Sequence, residues 1–169
     1  MIQNINTLHL LCGRIASGKS TLATELGNNP ATVTISEDSW LSTLYKDEMS
    51  SLADYVRCST KLQEILAPHV ALLLNAGVSV VLDFPANTIA SRLWMRDIID
   101  TIDVAHQLHF LDVPFEVCLD RLHQRNNAGD HPFIVTDDQF TQISKHFVAP
   151  SDEEGFNVVR HKIEVAKKP

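Results

Sequence analysis

Gly13-Arg14-Ile15-Ala16-Ser17-Gly18-Lys19-Ser20 decides how the rest of the chain is read. It has the pattern G-x-x-x-x-G-K-S, a phosphate-binding loop. The apolar run Thr7–Cys12 before it predicts a strand. The stretch Thr21–Leu26 after it predicts a helix, stopped by Gly27-Asn28-Asn29-Pro30. Strand, loop and helix in that order are the context in which the motif binds phosphate. Gly13 and Gly18 allow backbone conformations that side chains forbid, so amide N–H groups can close around an anion. The helix start adds unpaired donors and a partial positive charge. The stretch Gly13–Thr21 is therefore the predicted nucleotide site: Gly13, Arg14, Ile15, Ala16, Ser17, Gly18, Lys19, Ser20 and Thr21. Lys19 is placed for the β- and γ-phosphates and Ser20 for Mg²⁺.

Size and charge set bounds. The chain has 169 residues, 44% of them hydrophobic, enough for one α/β domain with a buried core. A net charge of −7 is a poor match for long nucleic acid, which needs clustered Lys and Arg. The apolar runs fall short of the ~20 residues that span a bilayer, and Met1–Asn6 lack the regions of a signal peptide. Cys12, Cys58 and Cys118 are isolated and odd in number. They read as reduced, mostly buried thiols of a cytoplasmic protein. None of the eight histidines falls at a metal-ligand spacing; His9 and His109 lie in predicted strands, and His131, near a segment expected to be mobile, is the one to watch.

Outward from the loop, strand and helix alternate. Ala31–Ile35 predicts a second strand. Ser36-Glu37-Asp38-Ser39 leads into a short helix through Trp40, Leu41 and Leu44, and Lys46–Ala53 reads as loop. Tyr55–Ala76 has helical spacing, with Pro68 expected to kink or restart it. Val78–Asp83 is a near-continuous apolar run, as suits a parallel strand buried on both faces. A helix from Asn87 or Thr88 to Ile102, a strand over Ala105–Leu111 and a helix after Pro114 follow. Arg125–Val135 is polar and expected to be mobile. Thr136–Gln139 has capping-box spacing ahead of a helix bearing Phe140, Ile143 and Phe147. Ala149–Gly155 reads as loop and Asn157–Val165 as a last strand. This order implies a parallel sheet with helices on both faces.

Ligands of such sheets collect at the carboxyl ends of the strands. Asp38 follows the second strand and Asp83 ends the third. Asp83 is assigned to Mg²⁺, with a loop carboxylate as the alternative. Asp38 is assigned as general base for an attacking hydroxyl, with a helix cap as the alternative. Arg121 and Arg125 share a helix face leading into the mobile segment, from which they could reach a transferred phosphoryl group or merely pair with Asp120 or Asp130. Arg14 could reach phosphate or solvent. Arg57, Arg92 and Arg96 are candidates for the substrate side or for the plain surface, and Trp40 for stacking or core packing.

Together the phosphate loop, Ser36-Glu37-Asp38, Leu82-Asp83 and Arg121-Leu122-His123-Gln124-Arg125-Asn126 resemble the small P-loop kinases. The nearest likeness is to phage-type polynucleotide kinases, zeta toxins and chloramphenicol phosphotransferases, the zeta-toxin-like AAA-type proteins. The resemblance implies a three-layer sandwich of nucleoside-monophosphate-kinase type. It would be a single domain, 1–169, with a five-stranded, mostly parallel sheet and a small lid about 121–135. It implies Asp38 as base, arginines in the lid, and Pro150–Gly155 closing over adenine. Such polynucleotide kinases often carry a further lid arginine, which Asn127–His131 lacks; that counts against a polynucleotide substrate. The expectation is an ATP- and Mg²⁺-dependent kinase of a small-molecule hydroxyl. The alternatives are a regulatory ATPase without an acceptor, or a polynucleotide or nucleotide-sugar kinase.

Overall fold

The computed structural model describes residues 6–129 and 134–162. Five strands form one sheet: β1 (Thr7–Cys12), β2 (Thr32–Ser36), β3 (Ser79–Pro85), β4 (Ala105–Asp112) and β5 (Val158–Lys162). Their order is β2-β3-β1-β4-β5, and every neighbouring pair is parallel. Among the described residues six α-helices connect them: α1 (Lys19–Gly27), α2 (Glu37–Leu44), α3 (Leu52–Asn75), α4 (Ile89–Ile102), α5 (Phe115–Ala128) and α6 (Asp137–Lys145). The central strand β1 is apolar on both sides because both sides are covered. Leu8, Leu10 and Cys12 join Leu62, Leu66, Val70, Met95 and Ile99 beneath α3 and α4. Leu11 faces the other way with Val81 and Ala23 of α1, while Leu111 and Val113 meet Cys118 and Leu122 of α5 and Phe140 of α6. These are the expected three layers.

Several boundaries differ from the sequence expectation. Pro68 does not restart α3, which runs unbroken over 24 residues. A proline inside a helix costs roughly 3 kcal/mol, but the buried stripe Cys58, Leu62, Leu66, Val70, Leu74 continues across it. Each such side chain returns about 1.5–3 kcal/mol. The presumed loop 46–53 contains a short 3-10 turn, Lys46–Glu48, and the start of α3, whose cap Ser51 accepts from Asp54 N–H. Arg125–Ala128 continue α5, which ends only at Gly129 with φ 72°. The rest of the expected lid reaches into 130–133, outside the described residues, as does His131.

The box at Thr136 forms as expected, with Thr136 and Gln139 capping each other reciprocally. However, α6 stops at Lys145, so Phe147 lies beyond it, and Ile143 is exposed. The part of the last strand expected past Lys162 lies outside the described residues. Cys12, Cys58 and Cys118 are free and buried. Among the described residues no helix is long and apolar enough to cross a membrane. His9, His109 and His161 form a ladder across β1, β4 and β5, with ring nitrogens 3.1 and 3.0 Å apart. Burial, then the neighbouring His9 and His161, lowers the His109 pKa to about 4, which favours the neutral form of this central ring.

Candidate active site

At the carboxyl edge of β1 the chain turns through the loop 13–18 into α1. Gly18 takes φ 103° at the helix N-cap, and no side chain caps the helix start. Those first N–H groups are thus left for an anion. Ala16 also has a positive φ, 61°. A Cβ on Gly13 would lie 2.5 Å from Ser17 Oγ and 3.1 Å from Leu111 Cβ, so only glycine fits. Asn87 Oδ1 accepts from Gly13 N–H at 2.8 Å. Lys19 Nζ folds back on the loop, donating to Gly13 O at 2.6 Å and Arg14 O at 2.8 Å. Burial lowers its pKa to about 8, with Asp83 and, more weakly, Asp38 opposing.

Around this loop stand the other residues singled out from the sequence. Asp83, level with Ser36 in the β2–β3 register, accepts from the Ser20 hydroxyl. Its pKa is raised by burial, against that hydrogen bond and the Lys19 charge. Asp38 sits in the first turn of α2 and is exposed. It is not the cap: Ser36 accepts from Ser39 N–H at 3.4 Å and takes that role. Asp38 and Asp83 share a cleft of about 450 Å³ with Ser20, Ala23, Thr24, Thr34, Ser36, Ser39 and Ser42. Arg121 Nη1 donates to Ser17 O at 3.3 Å. Burial lowers the Arg125 pKa, and the Asp38 charge opposes that shift. Arg14 lies with its guanidinium 4.5 Å from the Phe147 ring centroid. Ile15 packs with the α5 cluster, and Thr21 is exposed on α1.

The donor set fits a nucleotide triphosphate. Ser17 Oγ, Arg14 Nε and Arg125 Nε are buried without a hydrogen-bond partner among the described residues. Unpartnered buried donors are costly unless a ligand or water satisfies them. The Ser20 hydroxyl and Asp83 carboxylate are hard oxygen donors, as Mg²⁺ requires.

Other candidates fall elsewhere. Arg92 is buried, not on the surface: it grips Glu154 through two bonds of 2.6 and 2.9 Å and donates to Ala86 O and Val148 O. Arg96 donates to Glu154 O and lies over the Phe156 ring. Both therefore serve the segment 148–155 rather than the cleft. Arg57 is on the surface, paired with Glu48 and Asp54. Trp40 remains 37% exposed and is not core.

Two residues escaped the sequence reading. Asn87 was legible only as a helix start, but Thr88 caps α4 and Asn87 holds the phosphate loop while its own carbonyl accepts Val148 N–H. Glu37 is 3% exposed and accepts from Ser59 Oγ and Tyr55 Oη. Burial raises its pKa against those bonds. An acidic residue in a first turn gives no signal of burial.

A family model described as "AAA domain" matches residues 8–150. The chain belongs to the AAA domain family. No curated protein matches it. Among solved structures, this AAA domain superposes on a protein of Chloroflexus aurantiacus j-10-fl described provisionally as a kinase. The TM-score is 0.73 at 16% identity, over 94% of this chain and 85% of that one. The adenosine phosphosulfate (APS) kinase CysC of Mycobacterium tuberculosis gives TM-score 0.60 and 18% identity, over 96% and 91%. The Pnkp1/Rnl/Hen1 RNA repair complex gives 0.63 and 19%, over 84% of this chain; the match spans only 44% of that chain. The fold is that of P-loop kinases.

Proposed function

We propose that this AAA domain is an ATP-dependent kinase that moves the γ-phosphate of ATP to a hydroxyl of a small molecule. One observation carries the reading: Asp38, not needed as a cap, stands in the same cleft as Ser20 and Asp83. A switch needs a metal ligand; a second carboxylate free in the cleft suits a hydroxyl that must lose its proton. The triphosphate would be held by the loop amides, Lys19 and the unpartnered donors of Ser17, Arg14 and Arg125. Mg²⁺, held by Ser20 and Asp83, would neutralise charge on the phosphates. Asp38 takes the proton as the acceptor oxygen bonds to Pγ, the bond from Pγ to the β–γ bridging oxygen breaks, and ADP leaves. Arg121 and Arg125 stabilise the charge spread over the moving group. A cytoplasmic setting accords with three buried thiols.

The test is a screen of hydroxyl acceptors with γ-labelled ATP and Mg²⁺. A labelled organic product, lost in Lys19→Ala at unchanged circular dichroism, is expected. Free phosphate alone would overturn the kinase reading in favour of a regulatory ATPase.

A further inference from the structure

The two sides of the cleft differ in charge, and this bears on which acceptor the proposed kinase would take. Lys19 and Arg14 belong to the phosphate loop, Arg121 of α5 donates to its Ser17 O, and Arg125 of α5 has its pKa raised by the Asp38 charge against burial. The opposite wall is built by α1 beyond its first turn, the end of β2 and the start of α2. It offers the hydroxyls of Thr24, Thr34, Ser39 and Ser42 with the carboxylates of Asp38 and Asp83; among the described residues no Lys or Arg lines it. A third carboxylate beside Asp38 in the chain is buried: the Glu37 pKa is raised first by burial and further by the Asp38 and Asp83 charges, against hydrogen bonds from Ser59 and Tyr55. Arg57 of α3 is paired with Glu48 and Asp54 on the surface.

An acceptor bearing phosphate or sulfate would set further negative charge beside these carboxylates and the triphosphate, where no lining residue is a Lys or Arg. Like charges brought together in a cleft are a strong basis for rejection. Serine and threonine hydroxyls both donate and accept, and carboxylates accept from O–H and N–H₃⁺. Such a wall matches a sugar, cyclitol, nucleoside or amino sugar.

Resting on the kinase reading, we propose that the Thr24–Thr34–Ser39–Ser42 wall with Asp38 selects uncharged or cationic polyhydroxy acceptors. It excludes phosphorylated and sulfated ones, polynucleotide ends included.

Matched pairs test it with γ-labelled ATP and Mg²⁺: glucosamine against its 6-phosphate, myo-inositol against its monophosphate, adenosine against its 3′-phosphate, and a 5′-hydroxyl oligonucleotide. Label is expected in an unphosphorylated member, with kcat/KM at least ~10²-fold lower for its phosphorylated partner. Equal or faster labelling of phosphorylated members or of the oligonucleotide overturns the inference and leaves the kinase reading standing. A second measurement does not depend on the panel. Protein loaded with Mg²⁺ and a non-hydrolysable ATP analogue is titrated with inorganic phosphate at constant ionic strength. No saturable binding is expected for the wild type, and Ser42→Arg should create it. Saturable binding to the wild type overturns the inference whatever the screen finds. Free phosphate without any labelled product overturns the kinase reading, while the titration still judges the charge preference of the wall.

Discussion

Lys19 should make nucleotide affinity depend on pH in a calculable way. Its ammonium is drawn into the loop against Gly13 O and Arg14 O, and burial lowers its pKa from 10.5 to about 8. A triphosphate beside it favours the charged form, so binding must raise that pKa again. Below pH 8 Lys19 is protonated in both states, and affinity does not vary on its account. Above pH 8 the free protein has lost the proton that the complex holds, so binding takes up a proton and weakens as pH rises. The apparent dissociation constant grows as 1 + 10^(pH − 8), roughly 11-fold at pH 9 and about 30-fold at pH 9.5, with each tenfold worth ~1.4 kcal/mol. Cys12 is pushed up to about 11 and Tyr55 higher still, so neither titrates in that window. Calorimetry of a non-hydrolysable ATP analogue with Mg²⁺, in two buffers of different ionisation enthalpy, reads affinity and proton uptake together. Lys19→Arg, if it binds the analogue, should show neither trend, because a guanidinium stays charged. A wild-type affinity flat to about pH 9.5 without proton uptake would refute the buried, loop-bound ammonium.

Three further outcomes are expected. Asp38→Asn should slow transfer by ~10²–10⁴ without changing melting temperature, since Ser36 caps α2; a defect recovered by excess Mg²⁺ would make Asp38 a metal ligand, whereas Asp83→Asn is the variant expected to raise the Mg²⁺ requirement. Arg121→Ala with Arg125→Ala should lower turnover by ~10³ or more while nucleotide affinity changes far less; an effect confined to the Michaelis constant for ATP would place both in ground-state binding. Arg92→Ala, which strands Glu154 and the carbonyls of Ala86 and Val148, should cost ~3 kcal/mol and lower the melting temperature by about 6–12 °C. A shift of only a degree or two would mean that this buried pair is not what ties the 148–155 segment to the fold.

The phosphate loop, the alternation of strand and helix and the layered sheet were legible in the sequence because each is local. Gly13, Gly18 and Lys19 act through backbone conformation and one side chain within eight residues. The apolar run of β1 and β3 announces burial on both faces before any partner is known. The cap at Thr136 likewise involves residues three apart. What sequence could not decide was which of several equivalent polar residues holds a given place. Ser36 and Asp38 both suit a helix start, and only the folded turn gives the cap to Ser36 and frees the carboxylate. Arg92 and Arg57 look alike in the chain; one is buried in an ion pair with Glu154, 62 positions away, and the other is on the surface. Asn87 reaches Gly13 across 74 positions, and Glu37 is buried by Tyr55 and Ser59 of α3. Continuation of α3 through Pro68 was also a tertiary decision, since the core on either side outweighs one lost backbone bond. Local propensity is carried by neighbours in sequence, whereas burial and charge pairing depend on contacts that exist only once the helices have packed on the sheet.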